Sequence, residues 1–384
     1  MHDASVLRSL HVGRFQAEPV VFVAPGRVNL IGEHTDYAEG FVMPVAIDKA
    51  TLAAISPRTD GTIVIWAENY QEEATFDAAA LPTAATKHWS DYPIGVAVLL
   101  AGEGHTIPGF SLSVWGDVPL GSGLSSSAAL EVATMTALTA LMGVTIPGPQ
   151  LARLCQRVEN EFVGANCGIM DQFISANGKE NHALLLDCRD LSFRLAPIPA
   201  DVAIVIANTM VKHSIFGGDY PTRRRESEAA CAIINSHRGG VPFLRDATLE
   251  DLEKWGHEMT PESLARARHV ISEDLRTVAA SEALLKGDMK ELGRLMAEAH
   301  ASYSGDFAGS CAEADLMVEL AQDIPGLIGA RLTGGGFGGC TVNLVDLDKA
   351  ESFAKELASR YEAKTSIKPE VHVCRASAGA HKLA

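Results

Sequence analysis

VWGDVPLGSGLSSSAALEV, residues 114–132, runs from an apolar strand ending through Pro119, Gly121 and Gly123 into Ser125-Ser126-Ser127, then into an Ala-rich helical run. Glycines let backbone N–H groups approach a ligand closely. A helix that starts directly after them adds unpaired N–H groups and the positive end of its dipole. This combination holds anions, phosphate above all. No Lys follows the glycines, so the stretch is not the P-loop pattern G-x-x-x-x-G-K-[ST]. The same residues also read as a Gly/Ser-rich turn that merely caps a helix.

Upstream, Met1–Phe15 has the spacing of a short amphipathic helix, and Val20–Ala24 is a compact apolar strand expected to break at Pro25-Gly26. The polar cluster Glu33, His34, Thr35, Asp36 then lies between apolar runs. It reads as a binding loop or as the hairpin connection Asp36–Gly40. Thr62–Trp66 is strand-like and Trp89–Ala101 helical. Gln150–Gly164 predicts a helix with Leu151, Leu154, Cys155, Val158 and Phe162 on one stripe, and Glu159 flanks that stripe. Glu159 can face an enclosed site or solvent. Asp171 follows among small and apolar residues, either as a helix cap or as a functional group.

Ala183–Asp187 and Val202–Ala207 are strand-like, Asn208–Pro221 reads as a loop, and Thr222 opens a long helix whose three arginines read as a charged face or include one that reaches an acidic partner. Thr248–His300 is mainly helical. The linker-like APIPAD near Pro197–Asp201 suggests a domain change, giving domains 1–198 and 199–384. A second Gly-rich segment, GARLTGGGFGG at 329–339, contains a formal G-x-G-x-x-G. Cys340–Val345 after it alternates like a strand, whereas a dinucleotide fingerprint needs a helix there. We therefore read it as a loop packed against a ligand or another Gly-rich loop.

Composition bounds the function. The 384 residues correspond to two or three domains. A net charge of −16 repels nucleic acid and anionic membrane, so neither is an expected partner. Any bound nucleotide must be held by local N–H groups, a metal or a few cations. Seven widely spaced cysteines without a C-x-x-C argue against a disulfide scaffold or zinc site and for a cytoplasmic location. No signal peptide or membrane-spanning run is evident.

Four signatures now stand in order: GRVNLIGEHTDY at 26–37, PLGSGLSSSAALE at 119–131, CGIMDQF at 167–173 and GARLTGGGFGGCTV at 329–342. Together they resemble the galactokinase family, within the galactokinase–homoserine kinase–mevalonate kinase–phosphomevalonate kinase superfamily, from about residue 18 to about 345. The resemblance implies an α+β fold of two α/β domains. The first would be ribosomal-S5-like and the second ferredoxin-like, with the active site in the cleft between them. The implied reaction joins ATP and α-D-galactose to give ADP and galactose 1-phosphate. Expected substrates are galactose and ATP, the expected cofactor is Mg²⁺, and the expected assembly is a monomer or weak homo-oligomer.

Residue by residue, the resemblance makes Asp171 the catalytic aspartate and Arg27 its paired arginine. Glu33, His34, Asp36, Gly168 and Tyr220 match galactose-binding positions. Gly121, Ser122, Gly123, Leu124, Ser125, Ser126, Ser127 and Ala128 would wrap the ATP phosphates, Gly335 and Gly336 would support them from the other side, and Trp89 would sit near the adenine. Ser127 and Glu159 match Mg²⁺-holding positions, and hard oxygen ligands suit that ion. Phosphoryl transfer asks mainly for in-line positioning and charge stabilisation. Asp171 can accept or orient the proton of the sugar C1 hydroxyl, and Arg27 can stabilise the moving phosphoryl charge. An epimer that leaves one buried polar group unpaired loses about 1–3 kcal/mol.

One segment departs from the family pattern. Ser304-Gly305-Asp306 stands where relatives often carry Arg-Asp-Asp, and 308–313 is also altered. None of the residues expected to do chemistry lies there. Thr35 and Tyr37 favour galactose over N-acetylgalactosamine or L-arabinose as acceptor. A non-catalytic galactose and ATP sensor is the competing class. The unbroken Ser125–Ala129 run, with Asp171 and Arg27 present, speaks against it.

Overall fold

A computed structural model describes residues 4–119, 121–165, 167–212 and 219–383, with only the backbone at 212, 219 and 220. In chain order the strands are β1 Val20–Asn29, β2 Phe41–Val42, β3 Pro44–Pro57, β4 Thr62–Ala67, β5 Glu72–Asp77, β6 Phe110–Gly116, β7 His182–Asp187, β8 Phe193–Pro197, β9 Val202–Lys212, β10 Leu327–Leu332, β11 Gly338–Asp346, β12 Glu370–Cys374 and β13 His381–Lys382. The helices are α1 Ala4–Phe15, α2 Asp91–Gly102, α3 Ser126–Leu141, α4 Gly148–Arg157, α5 Met170–Asn177, α6 Asp219–Arg238, α7 Leu249–Trp255, α8 Pro261–Leu285, α9 Met289–Ser304, α10 Ala312–Ala321 and α11 Ala350–Thr365.

Three sheets organise these elements, in the orders β13-β1-β3-β6-β4-β5, β2-β7-β8 and β10-β11-β9-β12. The fold is α+β, as expected. Successive residues of β1 face opposite sides, as a strand requires. Phe22 and Ala24 pack into the core shared with α2 and α3, while Val21 and Val23 pack beneath Leu7 of α1. That double burial is why the segment reads as continuously apolar.

The first two sheets use residues up to Pro197, apart from β13, and the third uses residues from Val202 onward. One core spans both halves. Val28, Met43 and Val45 meet Ile204, Ile206, Val342 and Leu344, with Leu292, Leu295 and Met296 of α9 in the same cluster. The chain end returns to the first sheet: Lys382 and His381 pair with Phe22 and Val23, and Ala376 bridges to Ile47.

Several expectations need correction. β1 does not break at Pro25-Gly26 but carries a bulge between Pro25 and Arg27 and continues to Asn29. A Cβ on Gly26 would lie 2.8 Å from the Leu124 carbonyl oxygen, so glycine is needed where β1 passes under the Ser-rich loop. The helix expected over 150–164 is α-helical only to Arg157. Val158–Val163 form a π turn, closed by Gly164 at φ 86°. The loop expected from Asn208 is strand as far as Lys212, and α6 starts at Asp219 rather than Thr222. Helix α1 is only weakly amphipathic. Leu7 and His11 are its buried residues, while Val6 and Leu10 face outward.

Candidate active site

Helix α3 begins at Ser126, and Ser125 at its N-cap sits in the left-handed region at φ 63° with no side-chain cap bond. Its hydroxyl donates instead to Asp171 Oδ2 at 2.5 Å. The serine run is therefore more than a helix cap. Ser122 turns inward and closes the loop on the Pro119 carbonyl at 2.6 Å.

Asp171 lies in the first turn of α5 without capping it. Arg27 donates to it twice, Nε to Oδ1 at 2.8 Å and an Nη to Oδ2 at 2.7 Å. The other Nη of Arg27 donates to the Gly123 carbonyl. One arginine thus ties the carboxylate to the backbone of the Ser-rich loop. A carboxylate offers about four acceptor positions, and three are occupied here. The Asp171 side chain is 27% exposed, so the remaining position is open to a substrate.

A pocket opens beside this pair, lined by Arg27, Glu33, His34, Asp36, Glu159, Cys167, Gly168, Asp171, Gly334 and Gly335 among others. It gathers the sequence-predicted catalytic pair, four of the five sugar positions and one metal position. The fifth sugar position, Tyr220, has its side chain outside the described residues. A Cβ on Gly168 would overlap the Asp36 carboxylate, 1.5 Å from Oδ2, so only glycine fits there. Burial, and then the charge of Asp171, raise the Asp36 carboxyl to about 6.

Glu33 and His34 line the pocket but are heavily engaged by protein. Glu33 accepts from the Gly334 N–H at 3.0 Å, from Asn29 Nδ2 at 3.0 Å and from Arg331 at 3.4 Å. Burial raises its carboxyl, opposed mainly by Arg331. His34 is hydrogen-bonded to Tyr303 at 3.0 Å and to Tyr37 at 3.2 Å, and stacks on Phe307 at 4.1 Å. Burial, aided by His269, lowers it to about 3, so the ring is neutral. Both ring nitrogens are engaged by tyrosine hydroxyls, and the ring lines the pocket. Tyr303 and Phe307 flank the departing segment at 304–306.

The two Gly-rich loops pack on each other. Cβ atoms on Gly334 and Gly339 would lie 3.2 Å from the carbonyls of Gly123 and Ser122. The residues of 329–339 join antiparallel strands β10 and β11, which supports the rejection of a dinucleotide fingerprint. Gly336, at φ 82°, has room for no side chain against Gly309 and Tyr303.

On the far side of the phosphate loop, Ser126 and Ser127 border a largely apolar cavity with Tyr70, Trp89, Tyr92 and Trp115. Trp89 is held there by Glu72, which accepts from its Nε1 at 2.9 Å.

Ser127 and Glu159 meet as a hydroxyl and a carboxylate 3.2 Å apart. Two hard oxygens, one lining this pocket and the other the neighbouring apolar cavity, fit Mg²⁺, which usually keeps several waters and takes few protein ligands. Among the described residues no cluster of three His, Cys, Asp or Glu is arranged to hold a metal. The π turn places Glu159 here, and the backbone N–H groups of Gly164 and Ala165 close on its carbonyl. Burial, then Asp171, raise its carboxyl.

Sequence reasoning missed Arg331, Glu273, Tyr303 and Gln172. Arg331 and Gln172 stand inside quoted motifs, but no spacing rule separates them from their neighbours.

The fold and this cleft define a GHMP kinase. The GHMP kinases N terminal domain signature matches residues 91–179, and the GHMP kinases C terminal signature matches 280–363. A crystal structure of mevalonate kinase shares the fold at a TM-score of 0.66 and 18% identity, covering 93% of this chain and 98% of that one. Within that class the galactokinase galactose-binding signature matches residues 9–57. The chain is 43% identical to the galactokinase of Roseiflexus sp. (strain RS-1) over 384 residues, covering 100% of this chain and 98% of that protein. It is 45% identical to that of Chloroflexus aggregans over 356 residues, or 93% and 91% of the two chains. The crystal structure of Lactococcus lactis galactokinase complexed with galactose superposes at a TM-score of 0.94 with 33% identity over 99% of both chains. The chain belongs to the galactokinase family, and is an ATP-dependent sugar kinase.

Proposed function

We propose that this chain transfers the terminal phosphoryl group of ATP to the C1 hydroxyl of α-D-galactose. The observation that carries this reading is the position of Asp171, between the sugar loop at Glu33–Asp36 and the serine loop that touches it through Ser125. Arg27 and Ser125 fix the carboxylate plane, so its open lone pair orients the C1 hydroxyl and accepts the hydroxyl proton as the new P–O bond forms and the bond from the γ-phosphorus to the bridging oxygen breaks, ADP leaving with the electron pair. Arg27 is also close enough to the loop to stabilise charge on the phosphoryl oxygens. Asp36 accepts from another sugar hydroxyl, and Gly168 leaves it the room to do so. Glu33 and His34 shape the pocket, and Tyr220 belongs to the same sugar set by resemblance.

For ATP, the loop Gly121–Ala128 cradles the phosphates, Gly335 and Gly336 back it, and the cavity at Trp89 takes the base. Ser127 and Glu159 would hold Mg²⁺, which would supply neutralisation of the phosphate charge there. A cytoplasmic location fits seven cysteines that are all free. Among the described residues no helix is long and apolar enough to cross a membrane.

The test is ADP release with galactose, glucose, N-acetylgalactosamine and L-arabinose, run on wild type beside Asp171→Asn. Galactose should be preferred, and kcat should fall about 10²–10⁴-fold in the variant while both substrates still bind. Wild type inactive on all four sugars, or a variant as fast as wild type, would refute the assignment.

A further inference from the structure

Gln172 follows the catalytic aspartate directly, yet it faces a different partner set. It is fully buried, and its Nε2 donates to Glu159 Oε2 at 2.6 Å and to Glu131 Oε2 at 3.3 Å. Cys167 Sγ also donates to Glu159 Oε2, at 3.4 Å. One oxygen of Glu159 is thereby pinned, and the other is left at Ser127. Glu131 lies one helical turn after Ser127 on α3, so both ends of this arrangement rest on the same helix face. Glu131 is itself 0% exposed and, among the described residues, its Oε1 has no hydrogen-bond partner. A carboxyl group kept there with one unsatisfied oxygen needs a reason, and anchoring the amide of Gln172 supplies one.

We infer that Gln172, anchored by Glu131, is a positioning residue that aims the Glu159 carboxylate at the metal site. The inference rests on the reading of Ser127 and Glu159 as Mg²⁺ ligands. It assigns to the first turn of α5 two duties on consecutive residues: Asp171 holds the sugar hydroxyl, and Gln172 sets the metal-binding carboxylate. Groups that hydrogen-bond a metal ligand orient it, and losing one typically weakens metal affinity about 10–100-fold.

The experiment measures Mn²⁺ binding to the enzyme–ADP complex by electron paramagnetic resonance, and galactose binding by calorimetry. Gln172→Met keeps the shape and removes the donor. Its Mn²⁺ dissociation constant should rise about tenfold or more, with galactose affinity within about twofold of wild type. Unchanged Mn²⁺ binding, or parallel loss of galactose binding, overturns the inference. If Gln172→Met does not fold, Glu131→Met decides. It leaves the amide without its anchor, and a smaller shift confined to Mn²⁺ supports the proposal while no shift overturns it. Glu159→Gln, in the same assay, separates the two layers. If it leaves Mn²⁺ binding intact, the metal-ligand reading itself is wrong and the Gln172 inference falls with it.

Discussion

On the proposed reading, Asp36 carries both sugar recognition and a pH signature. Its carboxyl is raised to about 6, first by burial and then by the Asp171 charge, while the Tyr37 N–H at 2.9 Å pulls the other way. Only the ionised form keeps all lone pairs not used by Tyr37 able to accept from a sugar hydroxyl. Galactose affinity should therefore weaken as pH falls below about 6, by roughly tenfold per unit once the group is mostly protonated. Asp36→Asn should bind galactose weakly with a flat profile. Calorimetry between pH 5 and 8 checks this, and a flat wild-type profile would refute it. The candidate status of Asp36, Gly168, Asp171 and Arg27 was legible in the sequence through the family resemblance that the short motifs around them carry. The occupied ring nitrogens of His34 were not readable. One partner, Tyr37, is local, but the other is Tyr303, far along the chain, whose segment departs from the family pattern.

At the scale of elements, strand and helix identities followed from periodicity, and the errors cluster where tertiary contacts override it. β1 passes through Pro25-Gly26 because β3 pairs on both sides of the bulge. The helix holding Glu159 widens into a π turn, a feature common at functional sites. Helix α1 is tied down by a polar residue rather than an apolar stripe. His11, buried, is hydrogen-bonded to Ser113 of β6 at 2.9 Å and to Ser56 of β3 at 2.8 Å. Burial lowers it to about 4. An unfolded histidine takes its proton near 6.5, so between about 6.5 and 4 the unfolded chain binds more protons than the folded one. The stabilisation is complete above 6.5 and is lost as pH falls, on the order of 3 kcal/mol by pH 4. His11→Gln should be less stable than wild type at pH 7, and the gap should narrow by that amount on acidification. Urea unfolding at pH 7, 5.5 and 4 measures it, and a gap independent of pH would contradict the assignment.

Across the whole molecule, the two halves are joined at the site by buried charge. Arg331 of β10 is fully buried between Glu33, at 3.4 Å, and Glu273 of α8, at 3.6 Å. Glu273 accepts from the Gly32 N–H at 2.9 Å and so holds the segment before Glu33–Asp36 to α8. Burial alone would raise the Glu273 carboxyl, but Arg331, His269 and Arg276 more than offset it and bring it down to about 2. Removing one member of such a group leaves charge buried without a partner. Arg331→Met should cost about 3–5 kcal/mol in denaturant unfolding and raise KM for both substrates. A loss below about 1 kcal/mol would mean that the charges reach water or other partners.

The sequence by itself determined the order of the motifs, the kinase family they resemble, the anion-binding character of the Gly-Ser loop and the short roster of candidate residues. All of these are properties of neighbours along the chain. Only the tertiary structure decided which acid meets which base. Arg27 clasps Asp171 across 144 positions, Glu33 reaches Arg331 across 298, and the chain end closes the sheet that its beginning started. Such pairings are chosen by packing of the shared core, where burial makes an unpaired charge costly, and no local spacing encodes that choice.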